Sequence, residues 1–212
     1  MKPFAEAIEL VELIERVFSD IEAHGKADSV YLFGQTVDNE ESVFTTAAEL
    51  FMSGKVGKVA FGEGGQLVTG EIYQTPDWRG KLLNRGVPEN AIVTIQIKAK
   101  LAHTHTEALA LVEYAKVQGW KTLYVTSPAM HQLRVFVNTI SIVLHEYPEL
   151  KVFNKVGMPL PWAQEIIHSQ RIERGTRACL VRAEWNRILR YYEKGDLVSA
   201  KEILDYLNRR DK

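Results

Sequence analysis

The sequence has one cysteine, no long apolar run and almost no net charge, and each shortage argues against a class of protein. Because Cys179 is the only cysteine in 212 residues, no disulfide can form within the chain, which fits a reducing compartment. Acidic side chains interrupt residues 1–20, which therefore predict neither a signal peptide nor a membrane span. With 26 basic and 27 acidic residues, the overall charge does not favour nucleic acid. We expect a cytoplasmic protein with no membrane and no nucleic-acid partner.

Short apolar runs that alternate with helical patterns occupy residues 1–155. Such alternation, with connections long enough for crossover helices, predicts an α/β fold. We expect a three-layer, Rossmann-like open sheet, mostly parallel, with helices on both faces. Residues 156–212 are expected to form a C-terminal helical extension packed on the same domain. The predicted strands are Ser29–Phe33, Lys58–Phe61, Ala91–Ile97, Thr122–Val125 and a short fifth at Val152–Phe153.

Helix boundaries follow from capping residues and from apolar spacing. The first helix should end near Gly25, and the second should begin at Ser42, Thr45 or Thr46 and end at Met52. Thr75-Pro76-Asp77 predicts the start of a third helix. In the extension we predict helices at Trp162–His168, Thr176–Glu193 and Ser199–Asn208.

The side chains of the extension are given ordinary structural roles. Arg182, Arg187 and Arg190 should form a solvated, salt-bridged face, and Cys179 should be buried. Three roles stay open for the extension as a whole: covering the sheet edge, acting as a lid over a pocket, or forming a homodimer.

Four polar segments follow the predicted strands. In open parallel sheets, ligands bind beyond the carboxyl ends of the strands, so these segments should meet at one rim. They are Gly34-Gln35, Gly62–Gly65, Lys98–Glu107 and Thr126–Arg134.

His131 and Arg134 are the strongest candidates for functional residues at this rim. They lie three positions apart on one predicted helix face, directly after the strand end at Thr126 and Ser127. Arginine offers planar donors to phosphate or carboxylate, and histidine transfers protons near neutral pH. The structural alternative is a capping histidine and an arginine paired with a surface acid. Ser127 lacks the Gly-x-Ser-x-Gly surroundings of a nucleophile, so we expect it to cap the helix.

The glycine-rich turn Gly62-Glu63-Gly64-Gly65 is a second candidate for ligand contact. Glycine removes the Cβ and permits positive φ, which lets the backbone approach a ligand closely. A simple turn needs the same glycines, and the segment lacks the ending of a Walker loop. Glu63 is a candidate base or ribose contact.

The segment from His103 to Glu107 has two interpretations. Alternate residues on an extended segment face one way, which suggests a metal site at His103, His105 and Glu107. No second cluster completes the ligand set, so we predict no metal. We expect Thr104 and Thr106 to cap the helix while a histidine, here assigned as His103, faces the pocket. Glu107 is our second catalytic candidate.

Taken together, these segments resemble the SanA/ElyC/YdcF family over roughly residues 30–142. The chain departs from the family at three points. His103 stands where the family usually has Asn, and an extra residue separates Ser127 from His131. An acidic segment replaces the arginine that is common after the first glycine. The matching features are Gly34, Gly64-Gly65, Gly86-Val87-Pro88, the segment His103–Ala108, Val125-Thr-Ser127, and His131 with Arg134.

The resemblance implies a Rossmann-like domain with a polar pocket for a phosphorylated or nucleotide-like small molecule. It implies a hydrolase or transferase, or else a non-catalytic module that binds a nucleotide or S-adenosylmethionine. S-adenosylmethionine is the only cofactor that the resemblance suggests, and the cofactor is otherwise unknown.

Overall fold

Five parallel strands form the centre of the protein in a computed structural model that describes residues 2–67, 77–168 and 172–212. Their spatial order is β3-β2-β1-β4-β5, and every neighbouring pair is parallel. The predicted three-layer α/β fold with an open parallel sheet is therefore confirmed. The strands are β1 (Ala27–Leu32), β2 (Val56–Glu63), β3 (Ile92–Gln96), β4 (Thr122–Ser127) and β5 (Lys151–Val156).

Helices cover both faces of this sheet, because its buried strands carry apolar side chains on both sides. One face packs against α1, α4 and α5 through residues such as Leu13, Leu111 and Phe136. The other packs against α2 and α3 through Phe44 and Trp78. These helices are α1 (Lys2–Phe18), α2 (Val37–Met52), α3 (Trp78–Leu83), α4 (Thr104–Gln118) and α5 (Ala129–Glu146), and a 3-10 turn spans Glu89–Ala91.

The C-terminal residues form a hairpin and two helices: β6 (Glu165–His168), β7 (Glu173–Thr176), α6 (Arg177–Glu193) and α7 (Ala200–Arg210). Helix α6 packs on α5, and α7 packs on α1. The two longer predicted helices are confirmed, with Thr176 and Ser199 as side-chain N-caps. The predicted helix at Trp162–His168 is wrong, since β6 pairs with β7 in an antiparallel hairpin.

The predicted start of the second helix and the predicted end of the first are also wrong, whereas the predicted end of the second at Met52 is confirmed. Helix α2 begins at Val37, because the polar side chains that suggested a later cap serve tertiary contacts. The Ser42 hydroxyl donates to the Met158 carbonyl, and Thr46 Oγ1 accepts from the Met158 N–H. Helix α1 ends at Phe18 rather than near Gly25. Of the predicted third helix start, Thr75 and Pro76 lie outside the described residues, and Asp77 is the N-cap of α3.

The prediction that Cys179 is buried is wrong as well. Its side chain is exposed on α6, whereas the adjacent Leu180 is buried against Met130 and Ile166. Among the described residues, no helix has both the length and the apolar character needed to cross a membrane.

The strand order reverses between β1 and β4, which are neighbours in the sheet but far apart in sequence. The chain proceeds from β1 outward to β2 and β3, and from β4 outward to β5. The loops that leave the carboxyl ends of β1 and β4 therefore run in opposite directions and open a crevice between them.

Candidate functional site

Gln35, Ser127 and His131 meet in the crevice between β1 and β4. Gln35 Nε2 lies 3.1 Å from Ser127 Oγ, 3.2 Å from His131 Nδ1 and 3.2 Å from the Phe33 carbonyl oxygen. A carbonyl only accepts hydrogen bonds, so the Gln35 amide nitrogen faces Phe33, and the same nitrogen donates to His131 Nδ1. The proton of the neutral imidazole then belongs on Nε2, which lies 3.3 Å from Thr104 Oγ1.

The imidazole of His131 is held in its neutral form. The side chain is only 4% exposed, and burial, followed by the nearby charge of Arg134, lowers the pKa of His131 well below its ordinary value. Glu184 opposes this shift but does not overcome it. Near neutral pH, His131 therefore has one donor nitrogen and one acceptor nitrogen, both with assigned partners.

Arg134, predicted to hold an anion, holds a carboxylate of the protein itself. Its Nε donates to Glu184 Oε2 at 2.6 Å, and its Nη2 donates to Glu184 Oε1 at 3.3 Å. Its Nη1 donates to Thr104 Oγ1 at 2.5 Å. All three side chains are buried. Arg134 therefore joins the α4 start, the α5 start and α6.

Glu184 is the site residue that the sequence interpretation missed. His168 Nε2 lies 3.0 Å from its Oε1, and Arg187 Nη1 donates to the same oxygen at 2.7 Å. Burial alone would raise the pKa of Glu184, but the charge of Arg134 and the hydrogen bond from His168 hold it well below the usual range. A signal was present, because Glu184 lies four residues after Leu180 and four before Ile188, on the apolar face of α6.

Arg187 was predicted to lie on a solvated arginine face of α6, but its side chain is largely buried. Its side chain is 12% exposed and pairs with both Glu184 and Glu173. We call the buried group formed by Arg134, His168, Glu184 and Arg187, together with Glu173, the Glu184 network.

Glu107 ties helix α4 to the end of β1. Its Oε1 accepts from the Gly34 N–H at 2.9 Å and from the Tyr31 hydroxyl at 3.1 Å. Burial raises the pKa of Glu107 to about 8, against the opposing effect of these two hydrogen bonds. The structure brings Glu107 to Gly34, and no hydrogen bond between Glu107 and His131 occurs among the described residues.

The glycine-rich turn packs against the protein's own chain. A Cβ at Gly62 would lie 2.5 Å from the Tyr31 hydroxyl oxygen, and one at Gly65 would lie 2.9 Å from the Ala99 carbonyl oxygen. Gly64 and Gly65 have φ values of +97° and +73°, which favour glycine. The Glu63 carbonyl accepts from the Ile97 N–H. These contacts explain the glycines through the close approach of the chain to residues 97–102.

The start of α4 places His103 beside α6. His103 is the N-cap residue, and Thr106 Oγ1 accepts from its backbone N–H. Thr106 therefore caps the helix as predicted, whereas Thr104 is the first helical residue and contacts His131 and Arg134. The His103 ring stacks on Tyr191 with 6.4 Å between ring centroids. Burial, followed by the charge of His105, lowers the pKa of His103.

The structure contradicts one expectation for the end of β4, and ligand contact by Thr126 stays a prediction. The predicted capping role of Ser127 is wrong, since Pro128 is the N-cap residue of α5 and Ser127 contacts Gln35. Thr126 lies at the rim, fully buried, and its Oγ1 has no hydrogen-bond partner within the described parts of the chain.

In the residues that the structure describes, no group of three or more His, Cys, Asp or Glu side chains is arranged to hold a metal ion.

The hairpin and the start of α6 cover this end of the sheet. Thr36 Oγ1 donates to the Ile167 carbonyl at 2.6 Å, and the Ile167 N–H donates to Asp38 Oδ2 at 2.9 Å. The Arg177 guanidinium donates to Asn39 Oδ1 and to the Asp38 carbonyl. Of the three roles left open by the sequence, covering the sheet edge is seen at β5, where the Tyr206 hydroxyl of α7 accepts from the Val152 N–H.

Comparison with known proteins gives no family. No protein-family model matches the chain, and no curated protein sequence matches it. The resemblance to the SanA/ElyC/YdcF family stays a prediction from the motifs.

Proposed function

We propose that the protein is a SanA/ElyC/YdcF-like enzyme, a hydrolase or transferase, acting on a phosphorylated or nucleotide-like small molecule. The ligand would bind at the carboxyl end of the sheet, and His131 would assist proton transfer. The observation that carries the proposal is the buried, neutral His131 at the strand-order reversal, with Gln35 at one ring nitrogen and Thr104 at the other. An imidazole held in one tautomer in a crevice is suited to accepting or donating a proton.

One observation favours a second candidate, a non-catalytic module that binds a nucleotide or S-adenosylmethionine. Arg134 is already engaged by Glu184 and Thr104, and Ser127 Oγ contacts Gln35. A site with these groups committed to structure would bind and sense a ligand without turning it over.

Ligand screening followed by product analysis separates the two candidates. Thermal-shift measurements with nucleotides, sugar phosphates and S-adenosylmethionine would identify a ligand, because a ligand that binds only the folded state raises the melting temperature. Mass spectrometry of each hit after incubation would then reveal any product. A product supports the enzyme, whereas saturable binding without product supports the sensing module.

The variant His131→Gln tests the role of the imidazole. Gln keeps hydrogen-bonding capacity but cannot transfer protons, so turnover of the identified substrate should fall by about 10²-fold or more, while binding changes much less. His145→Gln is the matched control, since His145 is exposed near the other end of α5. Full turnover in His131→Gln would refute the assigned role.

A further inference from the structure

The strongest unexplained feature is the environment of the Glu184 carboxylate. Four N–H donors converge on its two oxygens: two from Arg134, one from Arg187 and one from His168. His131 Nε2 lies 3.8 Å from Oε2. The donors come from α5, α6 and β6, and the carboxylate is 3% exposed. Charge-assisted donors arranged in this way form the kind of site that proteins use to bind an oxyanion.

The position of this carboxylate relates it to the proposed ligand site. Arg134 and His131 follow β4 in the crevice where open parallel sheets bind ligands. Glu184, in contrast, lies on α6. We call α6 and the β6–β7 hairpin the C-terminal cover, because they lie over the carboxyl end of the sheet and are not part of it. A side chain of the cover therefore occupies a group of oxyanion donors beside the catalytic candidate.

Charge balance restricts what else can bind there. Within the Glu184 network, the charges of Arg134 and Arg187 are matched by the carboxylates of Glu184 and Glu173. A second oxyanion placed against Glu184 in this buried environment would meet strong repulsion. An oxyanion from solution can therefore use these donors only by replacing the Glu184 carboxylate.

We propose that Glu184 occupies an oxyanion subsite of the ligand site, and that a phosphate or carboxylate group of the ligand takes its place. This inference rests on the proposed function and adds to it: the ligand has an oxyanionic group at Arg134, and the cover must move to admit it. Glu184 is then an internal competitor of the ligand.

The test compares the binding of two simple anions to wild type and to Glu184→Gln. The amide keeps the shape of the side chain but removes the competing charge. Inorganic phosphate and acetate serve as probes, and binding is followed by titration of the Arg134 Nε–H resonance in ¹⁵N NMR spectra. We expect the variant to bind at least one probe about tenfold more tightly than wild type. The preferred probe identifies the ligand group as phosphate or carboxylate.

Glu173→Gln is the matched control. It removes the same charge from the same network, at Arg187 instead of Arg134, so its affinity for both probes should equal that of wild type. Equal affinities in Glu184→Gln and wild type would overturn the inference, and so would an equal gain in both variants.

A folding defect would not leave the question open. If Glu184→Gln is unfolded in chloride, its recovery in phosphate or acetate of matched ionic strength supports the subsite, and failure to recover in either overturns it. Failure of this test leaves the enzyme proposal intact, since that proposal depends on turnover and on His131→Gln. Failure of the turnover test leaves anion binding by Glu184→Gln as a separate result.

Discussion

Two buried arginine–carboxylate pairs join the C-terminal helices to the rest of the protein, and their surroundings differ. In one, Arg210 of α7 donates to both carboxylate oxygens of Asp20. The partners around it are the Asp211 carboxylate, which accepts from Arg210 Nε, and backbone groups of the edge strand β5: the Asn154 N–H donates to Asp20, and Arg210 donates to the Val152 carbonyl. In the other pair, Glu184 of α6 meets Arg134, and the surrounding partners are imidazoles and a second arginine.

The difference separates a structural role from a candidate functional one. A pair held by strand backbone and a neighbouring carboxylate fixes the position of a helix, and its hydrogen-bond partners include no imidazole. A pair surrounded by His131, His168 and Thr104 lies beside side chains that can exchange partners and protons. The C-terminal segment therefore completes the fold at one edge of the sheet and covers the candidate site at its carboxyl end.

Breaking the edge pair should have the largest effect. The substitution Asp20→Ala leaves the buried Arg210 charge without its main partner, which typically costs about 3–5 kcal/mol of unfolding free energy. Urea unfolding measures this loss. Asp205→Ala is the control, because Asp205 forms an exposed pair with Lys201 on the same helix and exposed pairs contribute about 0–1 kcal/mol. Similar losses in the two variants would contradict the structural role assigned to Asp20.

The rim of the candidate site should instead respond to pH, through Glu107. The raised pKa of about 8 means that folding takes up a proton at Glu107 between about pH 4.5 and pH 8. The resulting stabilisation is complete below pH 4.5 and is lost as the pH rises through 8, at no more than about 1.4 kcal/mol per pH unit. In Glu107→Gln this loss should disappear, so the variant gains stability relative to wild type from pH 5 to pH 8.

Urea unfolding at several pH values gives this comparison directly. Gln still accepts from Gly34 and Tyr31, so the substitution keeps both hydrogen bonds. Glu113→Gln, an exposed change on the same helix, should follow the wild-type pH dependence. A constant difference between Glu107→Gln and wild type over this range would show that Glu107 does not fold in its protonated form.

The smallest effect is expected on the outer face of α6, away from both pairs. Cys179→Ser changes an exposed side chain, so the unfolding free energy should stay within about 0.5 kcal/mol of wild type. A thiol reagent should label Cys179 in the folded protein as readily as in the unfolded one. Slow labelling of the folded protein would contradict the exposure of this face.

Local patterns predicted the parts of the fold that depend on local physics. Alternating apolar runs and helical spacing located all five parallel strands, and Thr176 and Ser199 marked two helix starts through their own side-chain bonds. The strand β6 (Glu165–His168) was not predictable in this way, because its backbone is held by Thr36 and Asp38, well over a hundred residues earlier. Short strands held by such contacts leave little local signal.

The candidate site was predicted only in part, because some of its contacts join segments that are far apart in sequence. Strand ends located His131, Arg134 and Gln35, and the structure brings His131 into contact with Gln35 and with Thr104. Glu184 lies fifty residues beyond Arg134 in sequence, and no local rule links a carboxylate on one helix to a guanidinium on another. Gly64 and Gly65 were correctly placed after the second strand, whereas Gly62 lies within β2. The contacts of Gly62 with Tyr31 and of Gly65 with Ala99 depend on packing that no short motif specifies.

The outer edge of β5 is closed to further strands. The Val152 N–H donates to the Tyr206 hydroxyl, which in turn donates to the Leu150 carbonyl, and Asp20 and Arg210 take the neighbouring backbone groups. An uncovered edge strand offers its free N–H and C=O groups to any extended segment from another molecule, which is a common route to aggregation. By occupying these groups with side chains, α7 and Asp20 end the sheet at its fifth strand and block edge-to-edge association through β5.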